Sequence, residues 1–388
     1  MRALATLRDE GRAAAAVEAS RLLRVLQVGK FYPPHKGGME SHLRALCGEL
    51  RGRVDVEVLV SSDTRETTEE VLDSVKVTRA GTLFDFAAAP VCPASVRRMR
   101  ESRADIVHIH WPHPTAVLAY LASGHRGRLV VTYHSDIVRQ KLMAKLFWPV
   151  LRRALERADA IVVASPNYVE SSPILQRFKS KCRVIPFGVP LGEFDRVDAE
   201  EVAAIRERFG TRIVLGVGRL IYYKGFEHLV RAMKKTDGHL LIVGEGPLRG
   251  ALEAEARRAG VEGRVTFLGH VEDTAPYFHA ADVFALPSVA RSEAFGIVQL
   301  EAMACRKPVV NTALDSGVTF VSVDGVTGLT VAPGDSDALA SALDRLLKDA
   351  SLRERYGHAA RMRVEREFDL SAMGRRTLRL YEEVMCRA

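Results

Sequence analysis

Short apolar runs alternate with helical patterns along the whole sequence, and this alternation restricts the fold more than any other feature. Strands that alternate with helices at such spacing form parallel sheets covered by helices on both faces. The predicted strands are Arg24–Val28, Val54–Val60, Ile106–Ile109, Leu129–Tyr133, Ala160–Ala164 and Cys182–Ile185, then Arg212–Gly216, Leu240–Val243, Val265–Leu268, Val283–Pro287, Pro308–Asn311 and Leu329–Val331. Predicted helices include Met39–Leu50, Ala116–Leu121 and Asn167–Gln176.

The pattern breaks once and then restarts. The break falls at Pro186–Asp195, which is rich in proline and glycine. A chain of 388 residues is long enough for two domains. We therefore predict an α/β protein of two tandem, doubly wound, Rossmann-like domains, residues 1–190 and 191–369, that face a central cleft. Ligands of such sheets bind beyond the carboxyl ends of the strands, so functional residues should follow strands directly.

Composition excludes several classes of protein. The five cysteines are odd in number and form no Cys-x-x-Cys pair, which argues against a disulfide framework or a zinc site. The longest stretch without a charged residue, Ile106–His125, contains four histidines and two prolines, so it is no bilayer span. Charged residues interrupt the Ala-rich N-terminus, which argues against a secretory signal. We expect a cytoplasmic protein.

Positive charge is concentrated in the first half. Residues 1–190 contain 29 Lys and Arg against 19 Asp and Glu, whereas the rest contain 27 against 29. This asymmetry indicates an anionic partner, or else an ordinary solvated, Arg-rich surface. No nucleic-acid motif is present, so we rank peripheral association with a membrane above nucleic acid. The basic clusters are Arg97–Arg98–Arg100–Arg103, Arg139–Lys141–Lys145 with Arg152–Arg153, and Arg177–Lys179–Lys181–Arg183.

Two loops of the first half carry candidate ligand-binding residues. Gly37 and Gly38 precede a predicted helix, where a bare backbone can approach an anion, although by themselves they are explained better by a plain turn. His134 follows the strand Leu129–Tyr133, where it could handle a proton or bind a substrate hydroxyl. A purely structural histidine is the alternative.

Two loops of the second half suit phosphate groups. Arg219 and Lys224 lie in one strand-to-helix loop, and a forked guanidinium beside a compact ammonium fits a diphosphate. The loop Val243–Gly250 resembles a dinucleotide fingerprint, but its third glycine comes one residue late and Pro247 intrudes. This second loop indicates no more than a tight turn.

The most informative segment runs from Pro287 to Glu301. It carries Glu293 in a loop and Glu301 eight residues later in the predicted helix. The amides of Phe295, Gly296 and Ile297 would be free donors at the start of that helix, suited to phosphate oxygens. A carboxylate can accept two hydrogen bonds from a vicinal diol, so Glu301 fits a ribose and Glu293 a hexose.

These loops together resemble the retaining glycosyltransferases of family 4, which have the GT-B fold. The resemblance covers about Leu23 to Leu370. Its most specific part is the pair Glu293 and Glu301 within SEAFGIVQLEAMACRKPVV. Supporting segments are GVGRLIYYKG, IVGEGPLR, FLGHVED, ADVFALPS and DGVTGLTV. Arg306 and Thr319 depart from the family pattern, which favours glycine and proline there, and both lie near the donor-binding half.

The resemblance implies a role for each candidate. Arg219 and Lys224 would bind the donor diphosphate and stabilise the leaving group. Glu301 would hold the ribose hydroxyls, and Glu293 the transferred sugar. The remaining implied contacts are the amides of Phe295, Gly296 and Ile297 to the donor, His134 near its sugar, Gly37 and Gly38 near its diphosphate, and backbone groups of Val271 to its base. The helix Leu370–Met385, within residues 370–388, would pack back on the first domain.

The resemblance also implies the reaction. Arg219 and Lys224 would replace the divalent ion that metal-dependent transferases hold through Asp-x-Asp, and we expect no such motif near a strand end, no metal and no cofactor. Stretches such as YHSDIVRQK favour bacterial assembly of surface polysaccharide or lipid-linked glycan. We predict transfer of α-mannose from GDP-mannose, with a UDP-hexose donor as the alternative. The acceptor would be a glycan or a polyprenyl-diphosphate-linked sugar.

Two other classes remain as rivals. An NAD-dependent oxidoreductase needs Gly-x-Gly-x-x-Gly after its first strand, and this chain instead has VGKFYP from Val28. A binding protein without catalysis would be expected to lack Arg219, Lys224 or Glu293, and all three are present.

Overall fold

The computed structural model describes residues 22–35, 37–86, 89–137 and 141–387. Arg139 of the basic clusters and the Ala-rich N-terminus lie outside these ranges. The chain divides into two compact units, one that reaches Val130 and takes in the residues from Val384, and one that spans Val131–Glu383. The predicted domain limits at residues 190 and 369 stay a prediction. Among the described residues, no helix combines the length and the apolar character needed to cross a bilayer.

The first unit is built on a mainly parallel sheet in the order β7-β1-β2-β4-β3, with β3 antiparallel to β4. Two short antiparallel strands, β5 and β6, follow β4 in the sequence and are not part of this sheet. Strands of the unit are β1 Arg24–Val28, β2 Asp55–Ser61, β3 Thr68–Leu72, β4 Val75–Ala80, β5 Phe84–Phe86, β6 Ala89–Val91 and β7 Ile106–Trp111. Its helices are α1 Gly38–Leu50, α2 Ala94–Glu101 and α3 Pro114–Ser123.

Burial of the central strands explains their composition. Every residue of β7 is buried, including His108 and His110, as expected for a parallel strand covered on both faces. Burial lowers the pKa of His108 to about 3, so its imidazole is neutral in the folded protein. The His110 ring forms a 3.0 Å hydrogen bond with the Gln27 amide oxygen on neighbouring β1.

The second unit contains a complete Rossmann sheet. Its order is β13-β12-β11-β14-β15-β16, all parallel. The strands β8, β9 and β10 do not belong to this six-stranded sheet and are neighbours in the order β10-β9-β8. The strands are β8 Arg128–Tyr133, which straddles the division, β9 Ala160–Val163, β10 Cys182–Val184, β11 Ile213–Val217, β12 His239–Val243, β13 Val265–Gly269, β14 Val283–Leu286, β15 Val309–Thr312 and β16 Gly328–Val331.

Helices connect these strands. They are α4 Lys141–Arg157, α5 Pro166–Ser171, α6 Pro173–Gln176, α7 Leu191–Phe194, α8 Ala199–Phe209, α9 Phe226–Ala232, α10 Arg249–Ala259, α11 Ala275–Ala280, α12 Ile297–Ala304, α13 Val318–Val321, α14 Ser336–Lys348, α15 Ala350–Glu367 and α16 Leu370–Cys386. Alternate residues of the Rossmann strands point to opposite faces. Leu215 on β11 packs in a cluster with Leu300 of α12, whereas Val214 packs with Leu229 of α9. Both faces of the sheet are thus covered.

The strand order determines where a ligand can bind. The order reverses between β11 and β14, which are neighbours in the sheet although β12 and β13 separate them in the sequence. Such a switch point is the ligand-binding crevice of doubly wound sheets. The loop after β11 carries Arg219 and Lys224, and the loop after β14 carries Glu293.

The α/β fold with two parallel sheets is confirmed, and each predicted strand is present within a few residues. The prediction missed β3 to β6, because β3 is exposed and charged and the hairpin strands have three residues each. The single helix predicted over Asn167–Gln176 is wrong. Ser172 ends α5 and caps α6 by accepting a hydrogen bond from the Leu175 amide, and Pro173 cannot continue the preceding helix.

Candidate active site

The loop after β11 is held by glycine and by a short helical turn. Tyr222–Lys224 form a 3₁₀ turn, and Gly225 follows with φ +65°, a left-handed conformation that favours glycine. A Cβ at Gly225 would lie 2.1 Å from the carbonyl oxygen of Pro287 at the end of β14. The Val289 amide also donates to the Tyr223 carbonyl oxygen at 2.8 Å. The two switch-point loops are therefore in direct backbone contact.

This contact brings two predicted catalytic residues together. Lys224 Nζ lies 2.6 Å from Glu293 Oε2, and the two side chains are only 12% and 9% exposed. Burial opposes the charge of the ammonium, but the Glu293 carboxylate outweighs this effect and raises the pKa of Lys224 above its usual value. Lys224 is therefore a fixed cation at neutral pH.

A hydroxyl orients the glutamate from the other side. Ser288 Oγ donates to Glu293 Oε2 at 3.0 Å, and the Ser288 carbonyl oxygen accepts a 2.5 Å hydrogen bond from Thr312 on β15. With Oε2 occupied in this way, only Oε1 of Glu293 is left to accept a hydrogen bond from a ligand. Sequence reasoning missed Ser288, although its place directly after the strand was a signal that could have found it.

The start of α12 has backbone amides without a partner among the described residues. Gly296 precedes the helix with φ +72°, and within the described chain the amides of Phe295, Gly296 and Ile297 donate to no acceptor. Phe295 is 3% exposed and anchors the turn through edge contacts with Phe187 and Phe368. A buried aromatic ring therefore fixes the direction in which these amides point, and this arrangement suits an anion at the N-terminus of α12.

Glu301 lies further along α12 and is half-buried. Burial is the main cause that raises the pKa of its carboxyl to about 7, with Lys224 acting in the opposite direction. Its carboxylate makes no hydrogen bond within the described residues. The group is thus available to accept hydrogen bonds from a ligand, and such donors would favour its ionised form.

His134 lies in the same unit as these residues. It follows β8, is 8% exposed, and its ring centroid is 5.2 Å from that of Phe187. Phe187 in turn contacts Phe295 at 5.0 Å between ring centroids. An aromatic chain therefore connects His134 with the turn that carries the free amides.

The other predicted residues are placed as follows. Arg219 is exposed in the β11 loop, and its guanidinium has no ion pair within the described chain. Val271 follows β13 and packs against the apolar cluster of α12. Gly37 and Gly38 are in the first unit, where Gly37 caps α1 after β1. The structure brings Lys224, Glu293, Glu301 and Phe295 together, and the roles of all these residues stay predictions.

One expectation about metal ligands needs correction. An Asp-x-Asp triplet, Asp335–Ser336–Asp337, does follow a strand, since β16 ends at Val331. Asp335 is the N-cap of α14, where its carboxylate accepts hydrogen bonds from the amides of Asp337 and Ala338. Asp337 pairs with Lys235 at 2.8 Å. Helix capping therefore explains the triplet.

The two departures from the family pattern are both explained locally. Arg306 has φ +56°, the left-handed conformation in which glycine is favoured, so the family preference at this position has a backbone cause. Thr319 on α13 accepts a 3.3 Å hydrogen bond from the Asn167 amide.

Parallel Rossmann sheets with cations, glutamates and unpaired amides at a switch point are the features of a GT-B glycosyltransferase. Comparisons with known proteins agree. Residues 36–193 match the family described as Glycosyltransferase Family 4, and residues 198–363 match Glycosyl transferases group 1. The O-antigen chain mannosyltransferase C of Escherichia coli is 34% identical over 94% of this chain and 99% of its own length. The D-rhamnosyltransferase WbpZ of Pseudomonas aeruginosa is 34% identical over 89% and 92%.

A solved structure shows the same fold. The sucrose-phosphate synthase of Thermosynechococcus elongatus superimposes with a TM-score of 0.81 at 26% identity, over 94% of this chain and 100% of that structure. The chain belongs to glycosyltransferase family 4, and it is a glycosyltransferase.

Proposed function

We propose that this enzyme transfers a hexose with retention of configuration, without a metal, from GDP-mannose to a glycan or lipid-linked acceptor. The observation that carries the proposal is the contact of Lys224 with Glu293 at the switch point, next to the unpaired amides at the start of α12. The site combines a cation for phosphate with a carboxylate for sugar hydroxyls.

The chemistry follows from where charge develops. Cleavage of the bond between the sugar and the phosphate leaves a sugar with oxocarbenium character and a diphosphate that gains negative charge. This new negative charge is stabilised by Lys224, Arg219 and the amides of α12, more strongly in the transition state than in the ground state. The acceptor hydroxyl attacks from the face that the diphosphate leaves, and the departing phosphate oxygen takes its proton, which retains the configuration.

Protein cations take the place of a divalent ion in this proposal. The transfer assay, run with and without EDTA, tests this directly. We expect equal rates, and an absolute requirement for Mg²⁺ or Mn²⁺ would contradict the metal-free mechanism. The anomeric configuration of the product, read from the one-bond C1–H1 coupling in its NMR spectrum, tests retention.

The donor sugar is inferred from the relatives. One is named a mannosyltransferase and another a D-rhamnosyltransferase. D-rhamnose is 6-deoxymannose, so both sugars have the axial 2-hydroxyl of the manno configuration. Donor hydrolysis with GDP-mannose, UDP-glucose, UDP-galactose and UDP-GlcNAc tests this inference. If GDP-mannose is turned over no faster than the UDP-sugars, the inference is contradicted and a UDP-hexose donor is favoured instead.

A lipid-linked acceptor requires contact with a membrane, and the outer face of α4 has suitable chemistry. Leu146 is 68% exposed there, with Lys145, Arg152 and Arg153 exposed around it. The Arg177 guanidinium lies 5.2 Å from the ring of half-buried Trp148. An apolar side chain surrounded by cations fits an anionic lipid surface.

Co-sedimentation with vesicles tests this association. The wild-type protein should bind vesicles with phosphatidylglycerol at low salt and not vesicles of phosphatidylcholine alone. The double variant K145E/R153E should lose this binding, and K235E/K348E, which changes the charge equally at another surface, should keep it. Equal binding of both variants, or none by the wild type, would contradict the proposal.

A further inference from the structure

A second ion pair of the same unit joins two loops that each carry a predicted site residue. Arg291 Nη2 lies 3.3 Å from Asp136 Oδ2 and 3.2 Å from Ser171 Oγ. Asp136 comes two residues after His134 in the loop that follows β8, and Arg291 comes two residues before Glu293 in the loop that follows β14. The pair therefore connects the segment of His134 with that of Glu293.

Asp136 is firmly held. Its side chain is 15% exposed, and its Oδ1 accepts hydrogen bonds from the Tyr133 hydroxyl at 2.8 Å and the Ser172 hydroxyl at 2.9 Å. The Asp136 amide donates to the Tyr168 hydroxyl at 2.6 Å. With both carboxylate oxygens and the backbone fixed, Asp136 offers Arg291 one defined position.

Arg291 is held by more than this ion pair. Its guanidinium lies 5.7 Å from the centroid of the buried Tyr168 ring, within the range of a cation–π contact. Ser171, which accepts from Arg291, itself donates to the Asp315 carbonyl oxygen at 2.8 Å. Arg291 thus contacts three groups on the β8 and α5 segments, while its backbone belongs to the turn before Glu293.

The turn between Arg291 and Glu293 is short and constrained. The Glu293 amide donates to the Ala290 carbonyl oxygen at 3.0 Å, so Arg291 lies within a hydrogen-bonded turn whose last residue is Glu293. A shift of the Arg291 side chain therefore moves the backbone that carries the glutamate.

We propose that Asp136 and Arg291 are positioning residues that hold the Glu293 turn in register with the His134 loop for sugar transfer. This inference rests on the proposed function. Neither residue needs to touch the donor: Asp136 fixes Arg291, Arg291 fixes the turn, and the turn places the free carboxylate oxygen of Glu293. The nucleotide half of the donor, at Arg219 and Glu301, is held by other contacts.

Steady-state kinetics of R291M, R291K and D136N test the proposal, together with binding of GDP by calorimetry. We expect R291M and D136N to lower kcat on the order of 10- to 100-fold, because small misplacements of reacting groups have effects of this size. The dissociation constant of GDP should change by less than about threefold, since the loop of Arg219 and the helix of Glu301 keep their contacts. R291K, which keeps the charge, should recover part of kcat.

The double variant D136N/R291M and a surface pair complete the test. If the two residues act as one unit, the double variant should be no slower than the slower single variant. The exposed pair Lys235 and Asp337, 2.8 Å apart, is the control, and K235M should leave kcat unchanged. Additive losses, an unchanged kcat in R291M, or equal loss of GDP binding and kcat would overturn the proposal. If the wild type transfers sugar and R291M transfers it equally fast, only the positioning role is contradicted. If the wild type transfers no sugar at all, the proposed function itself is contradicted.

Discussion

Lys224 Nζ and Glu293 Oε2 are 2.6 Å apart, and both side chains are about nine-tenths buried. Without a donor the two predicted catalytic groups neutralise each other. A diphosphate would compete for the ammonium, and a sugar hydroxyl would then take over part of the role of Lys224 at the carboxylate. In the proposed mechanism the pair therefore connects phosphate binding with the state of Glu293, the glutamate proposed to bind the sugar.

This pairing determines what substitution of Lys224 does. K224A should lower transfer at least 100-fold, because the leaving group loses its buried cation. It should also destabilise the protein by about 3 kcal/mol, since it leaves the Glu293 charge without its partner in a buried site. Turnover of the sugar nucleotide and unfolding in urea measure the two effects.

A second substitution separates catalysis from stability. In K224A/E293Q the unpaired charge is gone, so most of the stability should return while transfer stays absent. The pair of exposed Lys348 and half-buried Asp344 provides the control, and K348A should change neither quantity. Near-normal transfer in K224A would disprove the assigned role, and failure of E293Q to restore stability would disprove the electrostatic explanation.

Glu301 should make stability depend on pH. Because the folded protein has a Glu301 pKa of about 7, above the ordinary value of 4.5, the unfolded chain loses this proton first as pH rises. Stability from this group is therefore complete below pH 4.5 and is lost between pH 4.5 and 7. E301Q should stabilise the protein at pH 8 on the order of 2 kcal/mol and have little effect at pH 4.5.

The same substitution, E301Q, should weaken binding of the sugar-nucleotide donor. A glutamine offers one acceptor oxygen where the carboxylate offers two, so the KM for the donor should rise while stability at pH 8 increases. Urea unfolding at both pH values and a KM series at pH 8 check this combination. A stability gain that is equal at pH 4.5 and pH 8 would show that ionisation of Glu301 is not its cause.

Local patterns could predict most of the fold and half of the site. Apolar runs of four or more residues fix the Rossmann strands, since burial on both faces leaves a strong signal, whereas the exposed strand β3 leaves none. The sequence also shows that Arg219, Lys224 and Glu293 follow strands. It does not show that β11 lies beside β14, which is what brings Lys224 to Glu293. The contact of Arg291 with Asp136 depends on packing between segments far apart in the chain, so no local pattern predicts it.

Arg306 is a site for stabilisation. Its φ of +56° is held by tight packing, because a Cβ on Gly357 of α15 would lie 2.1 Å from the Arg306 carbonyl oxygen. A left-handed conformation costs a non-glycine residue roughly 1 kcal/mol. R306G should therefore be more stable than R306A by about 1 kcal/mol, since both remove the exposed side chain and only glycine relieves the backbone. Urea unfolding measures the difference, and equal stability of the two variants would contradict the strain.

Gly225 should be indispensable for a different reason. Its φ of +65° nearly equals the +67° of Gly260, but a Cβ at Gly260 would meet no atom within 4 Å, whereas one at Gly225 would meet the Pro287 carbonyl oxygen. G260A should therefore cost about 1 kcal/mol for the backbone alone and leave transfer intact. G225A should cost at least about 2 kcal/mol more, because the clash is with backbone that cannot move freely. It should also lower kcat, since it separates the end of β14 from the Lys224 loop and so separates Lys224 from Glu293. Measuring stability and kcat of both variants side by side decides the matter: if G225A behaves like G260A, the close approach of these two loops does not hold the site together.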